Sequence, residues 1–399
     1  MSSVSLNKSS DFFGDNGPDH FSSSGTCNRI FRIFLDCLKN GDPNTVMVSP
    51  VQGATGFTFL CEMDAGDERL RGVLKWQNSE QARNEAYSTA VIGRYGFNTP
   101  TLLPVEDREL SRGLASFGTK IKPAMPAPES NGDYPLSLIA MNKLKGHTFK
   151  EVVKKGEFFS LPIAEQKEMF FAFGKISVFD LFIGNDDRII RIEKDFSGEF
   201  LRGVEEGNVS PLKASPQMNY GNVMLRIDRE KHQAHLRDIY FIDNASNPCL
   251  FKVKSEIKGV DLSDWGNFYG DEEPADKSTL VSLPPNGDKR ENYNRLFSLA
   301  FKKIFTRPEL FAEHAFISIS QAIEELIAEI PASKALWSTI SAEDKREMQM
   351  SLLEGIAEGK KCLLSDQGKR ICDIDPIGPD RLDLIQRNID FLNSIIGCK

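Results

Sequence analysis

The segment from Phe170 to Asn244 limits the possible folds more than any other part of the chain. It contains three apolar runs, ISVFDLFIGNDDRIIRI (Ile176–Ile192), NYGNVMLRI (Asn219–Ile227) and IYFIDNA (Ile239–Ala245). A polar residue sits at a defined point of each: Asp187 beside Arg188, Asn222 ahead of VML, and Asp243 after IYFI. The last two runs read as the strands of a β-hairpin. A strand rich in Ile, Tyr and Phe that ends on Asp sets a carboxylate at a sheet edge facing a cleft. The run before them, Ile163 to Asp180, reads as a long helix delivering the chain to Asp187. Between Asp187 and Asn222 the composition turns to Gly, Ser and Pro, so 189–218 reads as an insertion.

An Asp, then an Asn opening a hairpin, then an Asp closing it, is the order of base and metal ligands in phosphoryl transfer by the protein kinase superfamily. A transferred γ-phosphoryl group needs its charge neutralised and an acceptor hydroxyl held in line. Asn222 and Asp243 offer hard oxygens suited to Mg²⁺ (or Mn²⁺). Asp187 is placed to accept or align the acceptor proton, a role worth roughly 10²–10⁴-fold. Asp186 is its immediate rival; Asp187 is preferred because it directly precedes Arg188.

Upstream features fit a nucleotide with less specificity. Thr45 to Leu60 divides into two β-rich runs around a turn containing Gly53 and Gly56, which reads either as a phosphate-approaching loop or as a plain hairpin turn. Lys75 ends the short strand RGVLKW, and Ser79 to Arg94 is a helix with Ser79 as its cap. Lys75 followed by Glu85 in that helix matches the ion pair that holds the α- and β-phosphates. The competing partner is Glu80, and the bland alternative leaves Lys75 and Glu85 solvated. Residues 97–105 look extended, and the proline-rich 118–135 reads as a surface insertion. The strand entering LSLIAMNKLKG would place the backbone of Ala140, Met141 and Asn142 at an adenine ring.

With 399 residues the chain divides into a leader (1–25), a small β-rich lobe with an N-terminal helix (26–142), a catalytic part (143–290) and a helical part (291–399). The leader is rich in Ser, Gly and Asp; Asn28 to Leu38 repeats apolar residues at helical spacing. The last quarter holds four amphipathic runs, starting near Asn292, Ser320, Ser341 and Asp380. A net charge of −8 disfavours a nucleic-acid partner. Seven scattered cysteines without a C-x-x-C pair argue against a zinc site and for a reducing environment. No run is long enough for a transmembrane segment, and the N-terminus lacks a basic-then-apolar export signal, so a soluble, cytoplasmic-type protein is expected. Lys143, Lys145, Lys150, Lys154, Lys155 and His147 crowd one short segment, readable as a solvated helix face or as a polyanion site.

G-N-D-D-R, G-N-V-M-L and Y-F-I-D-N together resemble the atypical kinases, in which Asp precedes Arg. The likeness is to the phosphatidylinositol 3- and 4-kinase family and the actin-fragmin kinase type, over about residues 45–245. It implies a bilobal, protein-kinase-like α+β fold that uses ATP and Mg²⁺. In it Asp187 would be catalytic, Asn222 and Asp243 would hold metal, Lys75 would meet phosphate and Glu85 would hold Lys75. D-N-A in place of D-F-G removes the familiar Phe switch, and the long insertion leaves Asn208 and Asn219 as weaker metal candidates. The chain also resembles Legionella-type effector kinases, secreted by a bacterium into the host cytoplasm and activated by host inositol hexakisphosphate. A host protein is the acceptor expected on that resemblance; a phosphoinositide is the alternative, supported by the D-R order. The effector resemblance offers 143–155, or Lys360, Lys361, Lys369 and Arg370, as a polyphosphate pocket. A pseudokinase binding module is the reading from another class.

Overall fold

In the computed structural model the described residues are 46–50, 57–65, 68–77, 79–100, 102–105, 137–142, 144–230, 233–244, 287–330, 336–366 and 379–397. The leader, the helix expected at Asn28–Leu38, the turn with Gly53 and Gly56, and the 118–135 insertion lie outside them. The chain divides into two compact units: Met1–Ala82, Pro100–Lys145 and Leu250–Leu283 in the first, Arg83–Thr99, Gly146–Cys249 and Pro284–Lys399 in the second. The class is α+β, as expected.

The first unit carries an antiparallel sheet of β1 (Val46–Pro50), β2 (Phe57–Ala65), β3 (Glu68–Gln77), β4 (Leu102–Val105) and β5 (Ser137–Asn142), in the order β1-β2-β3-β5-β4. FTFL and VLKW are rich in the aromatic and β-branched residues that favour strands. Cys61 and Leu74 are fully buried, and burial pushes the Cys61 thiol far above its usual range. Helix α1 (Ser79–Arg94) follows β3 with the bounds its sequence pattern predicts, and from Arg83 onward it belongs to the second unit.

In the second unit, β6 (His147–Thr148) leads into α2 (Phe149–Lys154) and α3 (Glu157–Ser160). Thr148 and Glu151 form a capping box, and Phe149, Val152 and Val153 face the core. Next come α4 (Ile163–Ile183), α5 (Gly198–Glu205) and the hairpin β7 (Val223–Glu230) with β8 (Gln233–Phe241). Helices α6 (Gly287–Thr306), α7 (Pro308–Ala328), α8 (Leu336–Thr339), α9 (Ala342–Asp366) and α10 (Pro379–Gly397) complete it. Every residue of α4 from Ile176 to Ile183 is buried, so its C-terminal half is internal on all sides, while Glu168 in its first half is exposed. The helix packs on α9 through glycines. A Cβ on Gly174 would lie 2.0 Å from the Leu352 carbonyl oxygen, and one on Gly355 2.0 Å from that of Phe171.

The 189–218 segment is a folded piece rather than a plain loop. Ile192 bridges Leu212, Ser197 caps α5, and Ile189, Ile190, Leu201 and Val204 are buried. Its Gly, Ser and Pro residues mark turns between those anchors. Arg295 of α6 pairs with Glu205, and the Asn292 side chain donates to the Phe196 carbonyl at 2.9 Å.

Candidate active site

Helix α4 ends at Gly184, whose φ of 78° is left-handed backbone that a glycine adopts without cost. The Asn185 N–H then returns to the Asp180 carbonyl at 2.7 Å, and the Asn185 side-chain oxygen accepts the Asp187 N–H at 3.0 Å. This turn sends the two adjacent aspartates in different directions. The Asp187 side chain is about one-third exposed (35%), while Asp186 is buried (2%). Arg191 donates to Asp187 Oδ1 at 2.6 Å, and the Asn219 amide to Oδ2 at 3.0 Å. The carboxylate is thus fixed from both sides before any ligand arrives. Asn219, a weak metal candidate on sequence grounds, has its amide nitrogen on Asp187 and its oxygen on the Gly221 N–H at 3.1 Å. Its job is orientation. Asn208 is turned toward Glu206.

Asn222 closes a turn begun by Asn219 and precedes β7. Its side-chain amide donates to the Asp187 carbonyl at 2.8 Å, and its backbone carbonyl accepts the Ile242 N–H at 3.1 Å. With its nitrogen engaged, the side chain presents Oδ1 as its remaining ligand atom. Val223 pairs with Phe241, so Asn222 and Asp243 flank the open end of the hairpin. Asp243 has φ 50°, the one non-glycine residue with positive φ among the described residues. Such backbone persists only where surrounding contacts enforce it, and it is concentrated at functional sites.

Behind these residues runs a buried polar chain. Arg188, fully buried, donates to Asp180 Oδ1 at 2.6 Å, to the Ile242 carbonyl at 3.2 Å and to the Asn244 side-chain oxygen. Its guanidinium also stands 5.2 Å from the Phe241 ring centroid. The Asn244 amide donates to Thr89 Oγ1 of α1 at 3.0 Å and to the Phe241 carbonyl at 3.1 Å. Burial pushes the Asp180 carboxyl up to about 6 even though Arg188 pulls it down. One Asp180 oxygen has no protein partner, which explains why the pair does not fully offset desolvation. Burial also raises Asp186, against the pull of Lys194 at 3.4 Å. His314 of α7 accepts the Arg191 N–H through Nε2 at 3.3 Å, and burial lowers its pKa to about 4, so it is neutral at physiological pH.

The remaining candidates lie on other elements of the chain. Lys75 lies on β3 between Thr58 and Ile139 in register and is buried, as is Glu85 of α1. On β5, Ala140, Met141 and Asn142 pair with Leu74, Val73 and Gly72. Gly53, Gly56, Lys143, Lys369 and Arg370 lie outside the described residues. Among the other lysines, Lys154 pairs with Glu329, Lys361 with Glu358 at 3.4 Å, and Lys360 donates to the Phe305 carbonyl at 2.9 Å. Lys150 stands 5.6 Å from the Tyr220 ring centroid. Among the described residues no group of three or more His, Cys, Asp or Glu side chains forms a metal cage, and no helix is long and apolar enough to cross a membrane. Mg²⁺ in phosphoryl-transfer sites takes one or two protein oxygens plus phosphates, so Asn222 Oδ1 and the Asp243 carboxylate are a donor set of the right kind.

No protein-family model matches the chain, and no curated protein sequence matches it. Among solved structures, a protein of Ralstonia eutropha JMP134 described as a putative aminoglycoside phosphotransferase aligns over 84% of this chain and 98% of its own. The identity is 12% and the TM-score 0.25. A likeness that weak carries no conclusion about this chain.

Proposed function

We propose that the protein is an ATP-dependent phosphotransferase that moves the γ-phosphoryl group of Mg-ATP to a hydroxyl, with a protein Ser/Thr side chain as acceptor. The observation that supports this best is Asn222. Its amide holds the Asp187 carbonyl and its backbone holds Ile242, next to Asp243. One residue therefore ties the proposed base to the proposed metal ligands, as phosphoryl transfer by positioning requires. Asp187, fixed by Arg191 and Asn219, aligns the acceptor hydroxyl. Asn222 and Asp243 would hold Mg²⁺, which neutralises phosphate charge when bound. By the same reading Lys75, with Glu85 as its proposed partner, would steady the α- and β-phosphates, and the β5 backbone at Ala140–Asn142 would meet the adenine.

Incubation with γ-labelled ATP tests this. Label is expected on the protein itself or on a protein substrate, and it is lost in Asp243→Ala. Transfer to phosphatidylinositol vesicles with none to any protein would change the acceptor to a lipid. Absence of any Mg-ATP binding would leave a pseudokinase binding module. From its likeness to secreted effectors we further propose action in a host cytoplasm and activation by inositol hexakisphosphate. Equal rates with and without that polyanion at low salt would remove the activation.

A further inference from the structure

The position after Asp243 bears Asn244, fully buried, where a kinase-type switch would carry Phe. Its side chain is used at both ends: the oxygen takes Arg188, and the nitrogen gives to Thr89 of α1. Thr89 lies four residues after Glu85, on the same face of that helix. Arg188 follows Asp187 directly, and Asn244 follows Asp243. The buried chain Asp180–Arg188–Asn244–Thr89 therefore passes within one residue, or one helical turn, of three proposed site residues. An apolar side chain at 244 would leave both the Arg188 guanidinium and the Thr89 hydroxyl short of a partner in a water-free interior.

Building on the phosphotransferase reading, we infer that Asn244 is a positioning residue: through Thr89 it latches α1 to the Asp243 segment, so that the metal ligand and the face bearing Glu85 are set together. The latch is a directional polar contact, satisfied in one geometry, whereas packing of a phenyl ring tolerates several. The Asp243 segment is accordingly held in a single state in the absence of nucleotide.

Two substitutions at the far end of the latch test this without touching Asp243. Thr89→Val keeps the shape and removes the hydroxyl; Thr89→Ser keeps the hydroxyl. Thr89→Val is expected to raise the Mg²⁺ concentration for half-maximal ATP turnover about fivefold, the worth of one net hydrogen bond. It should also speed amide exchange at Asp243 and Asn244, while Thr89→Ser matches the wild type in both. Asn244→Ala should give a Mg²⁺ shift at least as large, and adding Thr89→Val to it should change little more. Equal behaviour of Thr89→Val and Thr89→Ser would overturn the latch, as would additive shifts in the double variant. If the wild type turns over no ATP, the phosphotransferase reading fails, and amide exchange in the two Thr89 variants alone decides whether the latch exists.

Discussion

Replacing Arg188 by Met removes the only cation within hydrogen-bonding reach of Asp180 among the described contacts, while keeping most of the side-chain volume. Three acceptors lose a donor at once: the Ile242 carbonyl, the Asn244 side chain and Asp180, which keeps only the Asn185 amide at 3.3 Å. Breaking one partner of a buried ion pair costs about 3–5 kcal/mol, a large part of the 5–15 kcal/mol that holds a typical domain together. The loss should depend on pH in a defined direction. Asp180 has a folded pKa of about 6, above its ordinary value of 3.8, so the folded state binds more protons between those values. Stability from this carboxyl is therefore full below the ordinary value and declines as pH rises through the folded one. Without Arg188 the folded pKa moves higher still, since Arg188 is the group that lowers it. Chemical unfolding of Arg188→Met at pH 7.5 should show the full deficit, and at pH 5.5 a clearly smaller one relative to wild type. Asp180→Leu combined with Arg188→Met should recover much of the loss, because no charge is left buried. A deficit under about 1 kcal/mol, or one indifferent to pH and to Asp180, would refute the assignment of this pair as the internal support of the site.

Other expectations follow from single contacts. Gly174→Ala or Gly355→Ala forces a Cβ to within 2.0 Å of a backbone oxygen across the α4–α9 contact, so each should lower the thermal midpoint by the equivalent of at least 1–3 kcal/mol; unchanged melting would contradict that packing. His314 has its pKa lowered to about 4 by burial, so the folded state binds fewer protons than the unfolded one between about 4 and 6.5, and stability falls as pH drops through that window. His314→Leu should flatten this acid-side loss, worth roughly 3 kcal/mol in full, when melting is compared at pH 7 and pH 5. Asn219→Ala leaves Asp187 Oδ2 without its donor at 3.0 Å; kcat for phosphoryl transfer should fall about tenfold with KM for ATP little changed, and a purely KM effect would place Asn219 outside the acceptor side of the site.

Much of the fold could be read from periodicity. The helix at Ser79–Arg94, the hairpin from Val223 to Phe241 and the helical last quarter each carry a repeat, whereas the long helix into the Asp187 loop is legible from the length of its apolar run. Ser341 caps α9 as its position suggested, its Oγ accepting the Asp344 N–H at 3.0 Å. The folded character of 189–218 was obscured because Gly, Ser and Pro dominate its turns, although Ile189, Ile190, Ile192, Leu201 and Val204 supply an ordinary apolar core. Arg188 carried a signal as the partner of Asp187 in a D-R pair, yet nothing in the letters says that its guanidinium turns away to Asp180. Asn219 and Asn244 stand beside motif residues, and Thr89 and His314 in no motif, but the partner of each is far away in sequence: Asp187 for Asn219, Thr89 for Asn244, Arg191 for His314. Long-range polar partners of this kind are fixed by the tertiary fold and leave no period to find.

The central claim is that Asn222 and Asp243 flank a site for a metal–nucleotide complex. Calorimetric titration of ATP with and without Mg²⁺, into wild type and Asp243→Ala, tests it most directly. The wild type should bind ATP more tightly with Mg²⁺ than without, and Asp243→Ala should lose that difference while melting like the wild type. Binding that is equally strong with and without Mg²⁺ in the wild type, or no nucleotide binding at all, would contradict the account.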